Sequence, residues 1–213
     1  MVTLILIRHG ESQANRQRIF AGQIDPDLQN KGIKQAKLTA KYIVEHYNVD
    51  KIYSSDLQRA YKTALCLAEE LNIEITQDKN LREIHGGEWE GIKFSDLPVK
   101  YPKEFNIWMN HIGLSCCVGG ESVKQLGDRI MRAITKIAEE NEGKTVAVAT
   151  HATPIRAVQS IIQSGSVEAM ENIPWVSNAS VTVLEYDNNV WKIIEVSKDE
   201  HLAELKTELP TSV

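Results

Sequence analysis

The chain has 213 residues, with 24 lysines and arginines against 29 aspartates and glutamates, a formal net charge of −5. Apolar residues make up 42% and charged residues 25%, which is typical of a globular protein and excludes wholesale disorder. The negative charge disfavours a protein that coats nucleic acid or an anionic membrane. We expect a single domain over 1–213 whose partner is neither nucleic acid nor a membrane.

The chain shows no sign of a membrane or secreted protein. The apolar run at 2–7 stops at Arg8, too early for a transmembrane helix or a signal peptide. The three cysteines are too few and too irregularly spaced for a disulfide framework. These features predict a soluble protein of the reducing cytoplasm.

The first half of the chain alternates between strand and helix. Residues 3–7 are a β-prone apolar run, and 51–54 is a second, shorter strand candidate. A helix is expected from about Asn30, and another from Ser55 or Asp56, both good N-caps. The first helix has one predicted buried face: Ile33, Ala36, Ala40, Ile43, Val44 and Tyr47.

Residues 85–120 interrupt this alternation. They are rich in glycine and predict a long excursion, or small cap, with one or two short helices around 94–110. After it, the spacing of apolar residues predicts a helix over 121–141.

The last third resumes the alternation. Residues 145–150 form a buried strand candidate, followed by a helix that Thr153 caps and Pro154 begins. The segments 180–186 and 190–196 predict a hairpin around an Asp-Asn-Asn turn. We therefore predict a three-layer α/β/α fold with a mostly parallel central sheet.

Basic side chains and imidazoles follow the predicted strands. Arg8 and His9 follow the first, His151 follows the strand at 145–150, and Arg59 lies in the first turns of the helix after 51–54. Ligands bind beyond the carboxyl ends of parallel strands, where helix N-termini add backbone donors. This combination predicts a site for a phosphoryl group.

Each of these residues also has a purely structural interpretation. Arg8 before His9 could be a solvated strand end. His151 could be a hydrogen-bonded core histidine, and Arg59 could pair with Asp56 or Glu83. The shared position of the set at strand ends favours the phosphate site. A metal site is disfavoured, because the group Glu83, His85, Glu88 and Glu90 has no standard ligand spacing.

Five motifs along the chain resemble those of the histidine phosphatase (phosphoglycerate-mutase-like) superfamily. The first is Arg8-His9-Gly10-Glu11-Ser12 with Asn15, and a stretch from Gly22-Gln23 to Gln35-Ala36 follows it. The others are 54–64 around Arg59, 81–91 around Glu83, and Gly119-Gly120-Glu121-Ser122 together with His151.

The resemblance implies catalysis through a phosphohistidine. His9 would be the nucleophile, and Glu83 would protonate the leaving alkoxide and then activate water. Because fixed cations would stabilise the transferred charge, the resemblance implies neither a metal nor another cofactor. The phosphate-binding residues would be Arg8, Asn15, Gln23, Arg59, His151 and Ala152.

Within the superfamily, the short chain and its acid motif resemble the phosphatase branch, which includes broad-specificity phosphomonoesterases and α-ribazole phosphatase. A mutase and a catalytically inactive phospholigand-binding module are the alternatives. Ala152 stands where glycine is frequent, and His85 lies where relatives vary. The substrate is expected to be a small phosphorylated metabolite. The roles of Arg16 and Arg18 in its choice are open, as is a homodimer formed through the C-terminal hairpin.

Overall fold

A computed structural model describes residues 1–207. Its six-stranded sheet has the order β3-β2-β4-β1-β5-β6. The first four strands are mutually parallel, and β5 and β6 are antiparallel to their neighbours. The strands are β1 (Val2–Arg8), β2 (Lys51–Ser54), β3 (Ile75–Gln77), β4 (Thr145–Thr150), β5 (Val181–Asp187) and β6 (Val190–Lys198).

Helices cover both faces of this sheet. They are α1 (Gln13–Gln17), α2 (Asn30–His46), α3 (Gln58–Leu71), α4 (Leu97–Lys100), α5 (Pro102–Asn110), α6 (Val123–Glu140) and α7 (Ala152–Ser164). Short 3-10 helices lie at Lys79–Leu81, Gly87–Trp89, Ile112–Leu114, Glu168–Asn172 and Glu200–Leu205. The predicted three-layer α/β/α fold with a mostly parallel sheet is confirmed.

Strand β1 lies at the centre and is buried on both faces. Leu4 and Leu6 join the larger core cluster with α6 and α7, whereas Ile5 and Ile7 join the smaller one with α2 and α3. Alternate residues of a strand point to opposite faces, so one continuous apolar run serves both cores. No helix within the described residues is long and apolar enough to cross a membrane.

The predicted excursion packs into the larger core. The short helices expected around 94–110 are confirmed as α4 and α5. Trp89 and Trp108 are almost fully buried, and both rings contact Phe20 edge-on. The predicted C-terminal hairpin is also confirmed, with Asn188 and Asn189 in the left-handed region at φ of 49° and 64°.

Two predicted helix starts were wrong. Helix α3 begins at Gln58, after an N-cap residue, Leu57, that offers no side-chain cap, because Asp56 pairs with Arg82 instead. Helix α7 begins at Ala152, with His151 as its N-cap. Pro154 is then the third helical residue, which is tolerated because the first four N–H groups have no partner within a helix.

Two further differences concern helix α2 and strand β3. The predicted buried face of α2 is too wide, since Ile33 and Val44 at its margins are 38% and 40% exposed. Strand β3 was not predicted. It has only three residues, and those, Ile75–Gln77, show little burial.

Candidate active site

The strands that carry the predicted site residues end at one edge of the sheet. Arg8 at the end of β1 lies opposite Thr150 of β4, and Ser54 of β2 lies opposite Ala149. The ends of three adjacent strands therefore bring the segments 8–9, 55–59 and 151–153 to the same edge of the sheet. The structure brings Arg8, His9, Arg59 and His151 together here, as the sequence predicted.

His9 is held by backbone carbonyls at its main chain and at one ring nitrogen. Its backbone N–H donates to the Thr150 carbonyl at 3.0 Å, and its ring nitrogen Nδ1 lies 2.7 Å from the Gly10 carbonyl oxygen. A carbonyl only accepts, so the hydrogen resides on Nδ1 and Nε2 carries the lone pair. Burial, together with the nearby Arg59 and Arg8 charges, holds the pKa of His9 well below its ordinary value. The residue is therefore a neutral imidazole.

The turn after His9 packs so closely against α2 that both segments need a glycine at the contact. A Cβ on Gly10 would overlap the carbonyl oxygen of Gly32, and a Cβ on Gly32 would overlap that of Glu11. The Gly10 N–H also donates to Thr63 Oγ1 at 3.0 Å. This close approach fixes the His9 loop against both α2 and α3.

His151 faces His9 across the site. The two ring centroids are 5.1 Å apart, with 62° between the ring planes. His151 is fully buried, and its Nε2 lies 2.9 Å from the Ser55 hydroxyl. Burial and the charge of Arg59 hold its pKa well below the ordinary value.

Both arginines are buried, and their guanidinium groups also contact backbone carbonyls. Arg59 donates to Gly22 at 2.7 Å and to Ile24 at 2.9 Å. Arg8 donates to the Val176 carbonyl. Burial lowers the pKa of Arg8 to about 10, although the Glu83 carboxylate opposes this shift. Burial also lowers the pKa of Arg59, against the same carboxylate.

Three buried nitrogen atoms in this cluster have no hydrogen-bond partner among the described residues. They are Arg8 Nε, Arg59 Nε and His151 Nδ1. A buried donor without a partner costs about 1–3 kcal/mol, and a ligand that accepts from the two guanidinium nitrogens removes that cost. Their grouping around one neutral imidazole suits an anion with several acceptor oxygens.

Glu83 lies at the side of this cluster. Its Oε1 accepts from its neighbour, the Ile84 N–H, at 2.8 Å, and its Oε2 lies 3.4 Å from the Thr153 N–H at the start of α7. The backbone carbonyl of Glu83 accepts from Gln23 and Arg129. These contacts hold the loop that carries Glu83 against α6 and α7.

The side-chain amide of Asn15 is oriented by Ser12, the N-cap residue of α1. Its Oδ1 accepts from the Ser12 N–H and hydroxyl, both at 3.0 Å, and from Asn178 Nδ2 at 3.2 Å. Three donors on one oxygen fix the amide, and no acceptor among the described residues lies within reach of its Nδ2. The Asn15 NH₂ group is therefore available to a ligand.

Of the two remaining predicted phosphate ligands, the side chain of Gln23 is already hydrogen-bonded, whereas the backbone N–H of Ala152 has no partner within its helix. Gln23 donates to the Glu83 carbonyl at 3.2 Å and accepts from Arg82 at 3.3 Å. Ala152 is the first residue of α7, so its N–H is one of the donors that a helix leaves unpaired. The phosphate contacts assigned to both residues stay predictions.

Neither structural interpretation of Arg59 matches its contacts. Asp56 pairs with Arg82, with oxygen–nitrogen distances of 2.5 and 2.6 Å, which lowers the pKa of the Asp56 carboxyl. Arg59 itself donates to carbonyls, not to a carboxylate. Among the residues that the structure describes, no three His, Cys, Asp or Glu side chains form a group that could hold a metal ion.

Sequence reasoning missed the segment before β5. Asn178 is buried and donates both to the His9 carbonyl at 3.0 Å and to Asn15. Arg156 donates to the carbonyls of Met170 and Ile173, which holds the segment that carries the Val176 carbonyl. Nothing in the local pattern signals these contacts, because most of them end on backbone atoms.

Comparison with known proteins identifies the class. Residues 4–199 match the family model described as the histidine phosphatase superfamily, branch 1. The chain therefore belongs to the histidine phosphatase superfamily, and the predicted resemblance is confirmed.

Individual relatives cover nearly the whole chain. Phosphoserine phosphatase 1 of Hydrogenobacter thermophilus is 33% identical over 208 residues, 98% of each chain. The structure of Bacillus stearothermophilus YhfR has a TM-score of 0.90 at 29% identity, covering 95% of this chain and all of its own. A phosphoserine phosphatase variant from Entamoeba histolytica, in complex with phosphoserine, has a TM-score of 0.84 at 26% identity, with 95% and 100% covered.

Proposed function

We propose that this protein is a phosphomonoesterase that transfers the phosphoryl group of a small metabolite to His9 and then to water. The observation that carries the proposal is the set of unpaired buried nitrogen atoms, Arg8 Nε, Arg59 Nε and His151 Nδ1, around a neutral His9. Preorganised donors of this kind stabilise the charge on the phosphoryl oxygens without reorganisation during the reaction.

The first step breaks the ester bond. The lone pair on His9 Nε2 attacks phosphorus, a P–N bond forms, and the bond from phosphorus to the ester oxygen breaks. Arg8, Arg59 and His151 hold the phosphoryl oxygens, and Asn15 adds a neutral donor. Glu83, in its protonated form, gives its proton to the leaving oxygen, which departs as an alcohol.

The second step restores the enzyme. Glu83, now a carboxylate, takes a proton from a water molecule as the water oxygen attacks phosphorus. The P–N bond breaks, inorganic phosphate forms, and His9 regains its lone pair on Nε2. No step needs a metal ion, because the guanidinium groups supply the positive charge.

Phosphoserine is the substrate that the comparisons support best. Two relatives are named as phosphoserine phosphatases. One is the protein from Hydrogenobacter thermophilus, and the other is the metal-independent enzyme of Arabidopsis thaliana, which is 33% identical over 202 residues. The experiment is a measurement of kcat/KM for phosphoserine, phosphothreonine, α-ribazole 5′-phosphate and 3-phosphoglycerate, with p-nitrophenyl phosphate as a generic control. Preference for phosphoserine of about 10-fold or more supports this assignment.

Two outcomes would favour the alternatives. Interconversion of phosphoglycerates with a bisphosphate primer, faster than phosphate release, would identify a mutase. Tight binding of phosphate esters without turnover of any would identify a phospholigand-binding module. The presence of Glu83 together with both histidines supports the enzyme.

A homodimer and a cytoplasmic location complete the proposal. Strand β6 is an outer strand of the sheet, and its residues Val190, Ile194 and Val196 are 43–55% exposed. Edge strands with exposed β-branched residues favour pairing with another chain. Light scattering should give twice the monomer mass, and Ile194→Lys should return it to the monomer value. A monomer at all concentrations would remove the dimer.

A further inference from the structure

The second histidine of the site is bound by a serine that the mechanism above does not use. Ser55 and His151 are both fully buried, and 2.9 Å separates the Ser55 hydroxyl oxygen from His151 Nε2. The other ring nitrogen, Nδ1, has no hydrogen-bond partner among residues 1–207. The direction of the Ser55 hydrogen bond therefore decides which nitrogen carries the hydrogen.

The surroundings of Ser55 give that direction. The Leu57 N–H lies 3.3 Å from Ser55 Oγ and can only donate, so the serine oxygen accepts there. His151 Nε2 is the one remaining acceptor for the hydroxyl hydrogen within the described part of the chain. The opposite arrangement, with hydrogen on Nε2, would leave both the buried hydroxyl hydrogen and the buried Nδ1 lone pair unsatisfied, which is costly.

His151 has one ring hydrogen to place. Burial and the positive charges of Arg59 and Arg8 hold its pKa well below the ordinary value, so the ring is neutral. A neutral imidazole is a donor at one nitrogen and an acceptor at the other. Whichever nitrogen Ser55 occupies as a donor, the other must carry the hydrogen.

We propose that Ser55 is a positioning residue that fixes His151 as the Nδ1–H tautomer, so that His151 donates a hydrogen bond to the transferred phosphoryl group. The two histidines then share a tautomer but have opposite roles. In His9 the Gly10 carbonyl occupies Nδ1–H and leaves a nucleophilic Nε2, whereas in His151 Ser55 occupies Nε2 and leaves a donor. The phosphoryl ligand in this inference rests on the proposed function; the tautomer does not.

The test is a nitrogen-15 NMR measurement on the full chain labelled at histidine. Two-bond proton–nitrogen spectra distinguish the protonated from the unprotonated ring nitrogen, and the loss of signals in His151→Gln assigns them. We expect wild-type His151 to show a protonated Nδ1 and an unprotonated Nε2 without any substrate present. Observation of a protonated Nε2 in the wild type would overturn the proposal.

Three variants separate positioning from packing. Ser55→Ala should shift the tautomer toward Nε2–H and lower kcat/KM for p-nitrophenyl phosphate by about 10-fold, the loss of about one hydrogen bond. Ser55→Thr keeps the hydroxyl and should restore both readouts. Ser54→Ala is the matched control, because that neighbouring buried hydroxyl donates to the Ser55 carbonyl at 2.7 Å and not to His151.

The outcomes remain distinct from those of the proposed function. An unchanged tautomer and unchanged kcat/KM in Ser55→Ala would refute the role of Ser55. If Ser55→Ala does not fold, the wild-type spectrum and Ser55→Thr still decide the tautomer. A protonated Nδ1 in a wild-type protein that turns over no phosphate ester would refute the enzyme while leaving the tautomer assignment intact.

Discussion

The strand-end half of the site and the excursion beside it are built differently. Arg8 and His9 are fixed by backbone hydrogen bonds of the sheet, to Ser180 and Thr150. Between Gly86 and Gly120 the chain instead forms short helices, held by buried aromatic rings and by side-chain contacts such as Glu90 Oε1 to the N–H groups of Gln23 and Gly86.

This difference suggests separate roles for the two regions, phosphoryl binding at the strand ends and substrate choice on the excursion. Parallel strands in register give the phosphoryl-binding groups a fixed geometry, whereas loop-borne positions can vary without disturbing the sheet. His85 is exposed on the excursion, whereas His151 is fully buried at a strand end. We therefore expect substitutions at strand ends to remove chemistry and substitutions on the excursion to change the choice of substrate.

The largest expected effect is that of His9→Ala. Turnover should fall by at least about 10³-fold, because the covalent route is lost. The fold should persist, since the burial of β1 comes from Leu4, Ile5 and Leu6. Circular dichroism and p-nitrophenyl phosphate kinetics test this, with His46→Ala as the control. Activity above about one per cent of wild type would exclude His9 as nucleophile.

Arg59→Ala should act on binding and stability together. Loss of a charge-assisted donor should weaken inhibition by vanadate or phosphate by about 10- to 100-fold. Removing a cation from the start of a helix raises the free energy of unfolding by at most about 1 kcal/mol. The carbonyls of Gly22 and Ile24 each lose a bond worth about 0.5–1.5 kcal/mol, so the melting temperature should fall.

Lys62→Ala is the matched control for that variant. Lys62 lies on the same helix and pairs with Asp27 outside the cluster, at 2.5 Å, with 39% of its side chain exposed. It should leave vanadate inhibition unchanged. If Arg59→Ala lowered the melting temperature with anion affinity intact, Arg59 would be structural and the strand-end cluster smaller than proposed.

Acid should destabilise the folded protein through the two buried histidines of the strand-end half. His9 and His151 have folded-state pKa values well below the value of about 6.5 expected in the unfolded chain. Below pH 6.5 the unfolded state binds more protons, so stability should fall as the pH drops, by up to about 1.4 kcal/mol per pH unit for each histidine. Urea unfolding between pH 7.5 and 5.0 measures the slope, which should be shallower in His9→Ala. Identical slopes would show that His9 is not buried as a neutral ring.

The smallest effect is expected on the excursion. His85→Ala should change kcat/KM for p-nitrophenyl phosphate by no more than about two-fold, as is usual for an exposed side chain. The ratio of kcat/KM for phosphoserine to that for phosphothreonine should change more. A loss of turnover above 10-fold with every substrate would place His85 in the chemistry and break the division between the two regions.

The parts of the site that sequence could predict are those carried by strong local patterns. The apolar runs before Arg8 and His151 identify two buried parallel strands, and the rule that ligands bind beyond strand ends then brings the two residues together. Arg59 stands out in the sequence because a cation near a helix start breaks a local preference.

The rest depends on contacts that no local pattern encodes. The Val176 carbonyl that receives Arg8 is a backbone atom, so any residue there would serve, and Asn178 reaches the His9 loop across a long sequence separation. The start of α3 was misplaced for a related reason. Asp56 is a good N-cap by type, but its pair with Arg82 is a tertiary contact that overrides the local preference.

The central claim, that His9 carries the phosphoryl group, is tested most directly by trapping it. Glu83→Gln keeps the shape of the side chain but cannot exchange a proton. p-Nitrophenyl phosphate needs little acid assistance to leave, whereas hydrolysis of phosphohistidine still needs an activated water. With this substrate and EDTA present, we predict acid-labile, base-stable phosphate on the variant, located at His9 by peptide mass spectrometry. Phosphate on another residue, or wild-type turnover with none on the protein, would contradict the account.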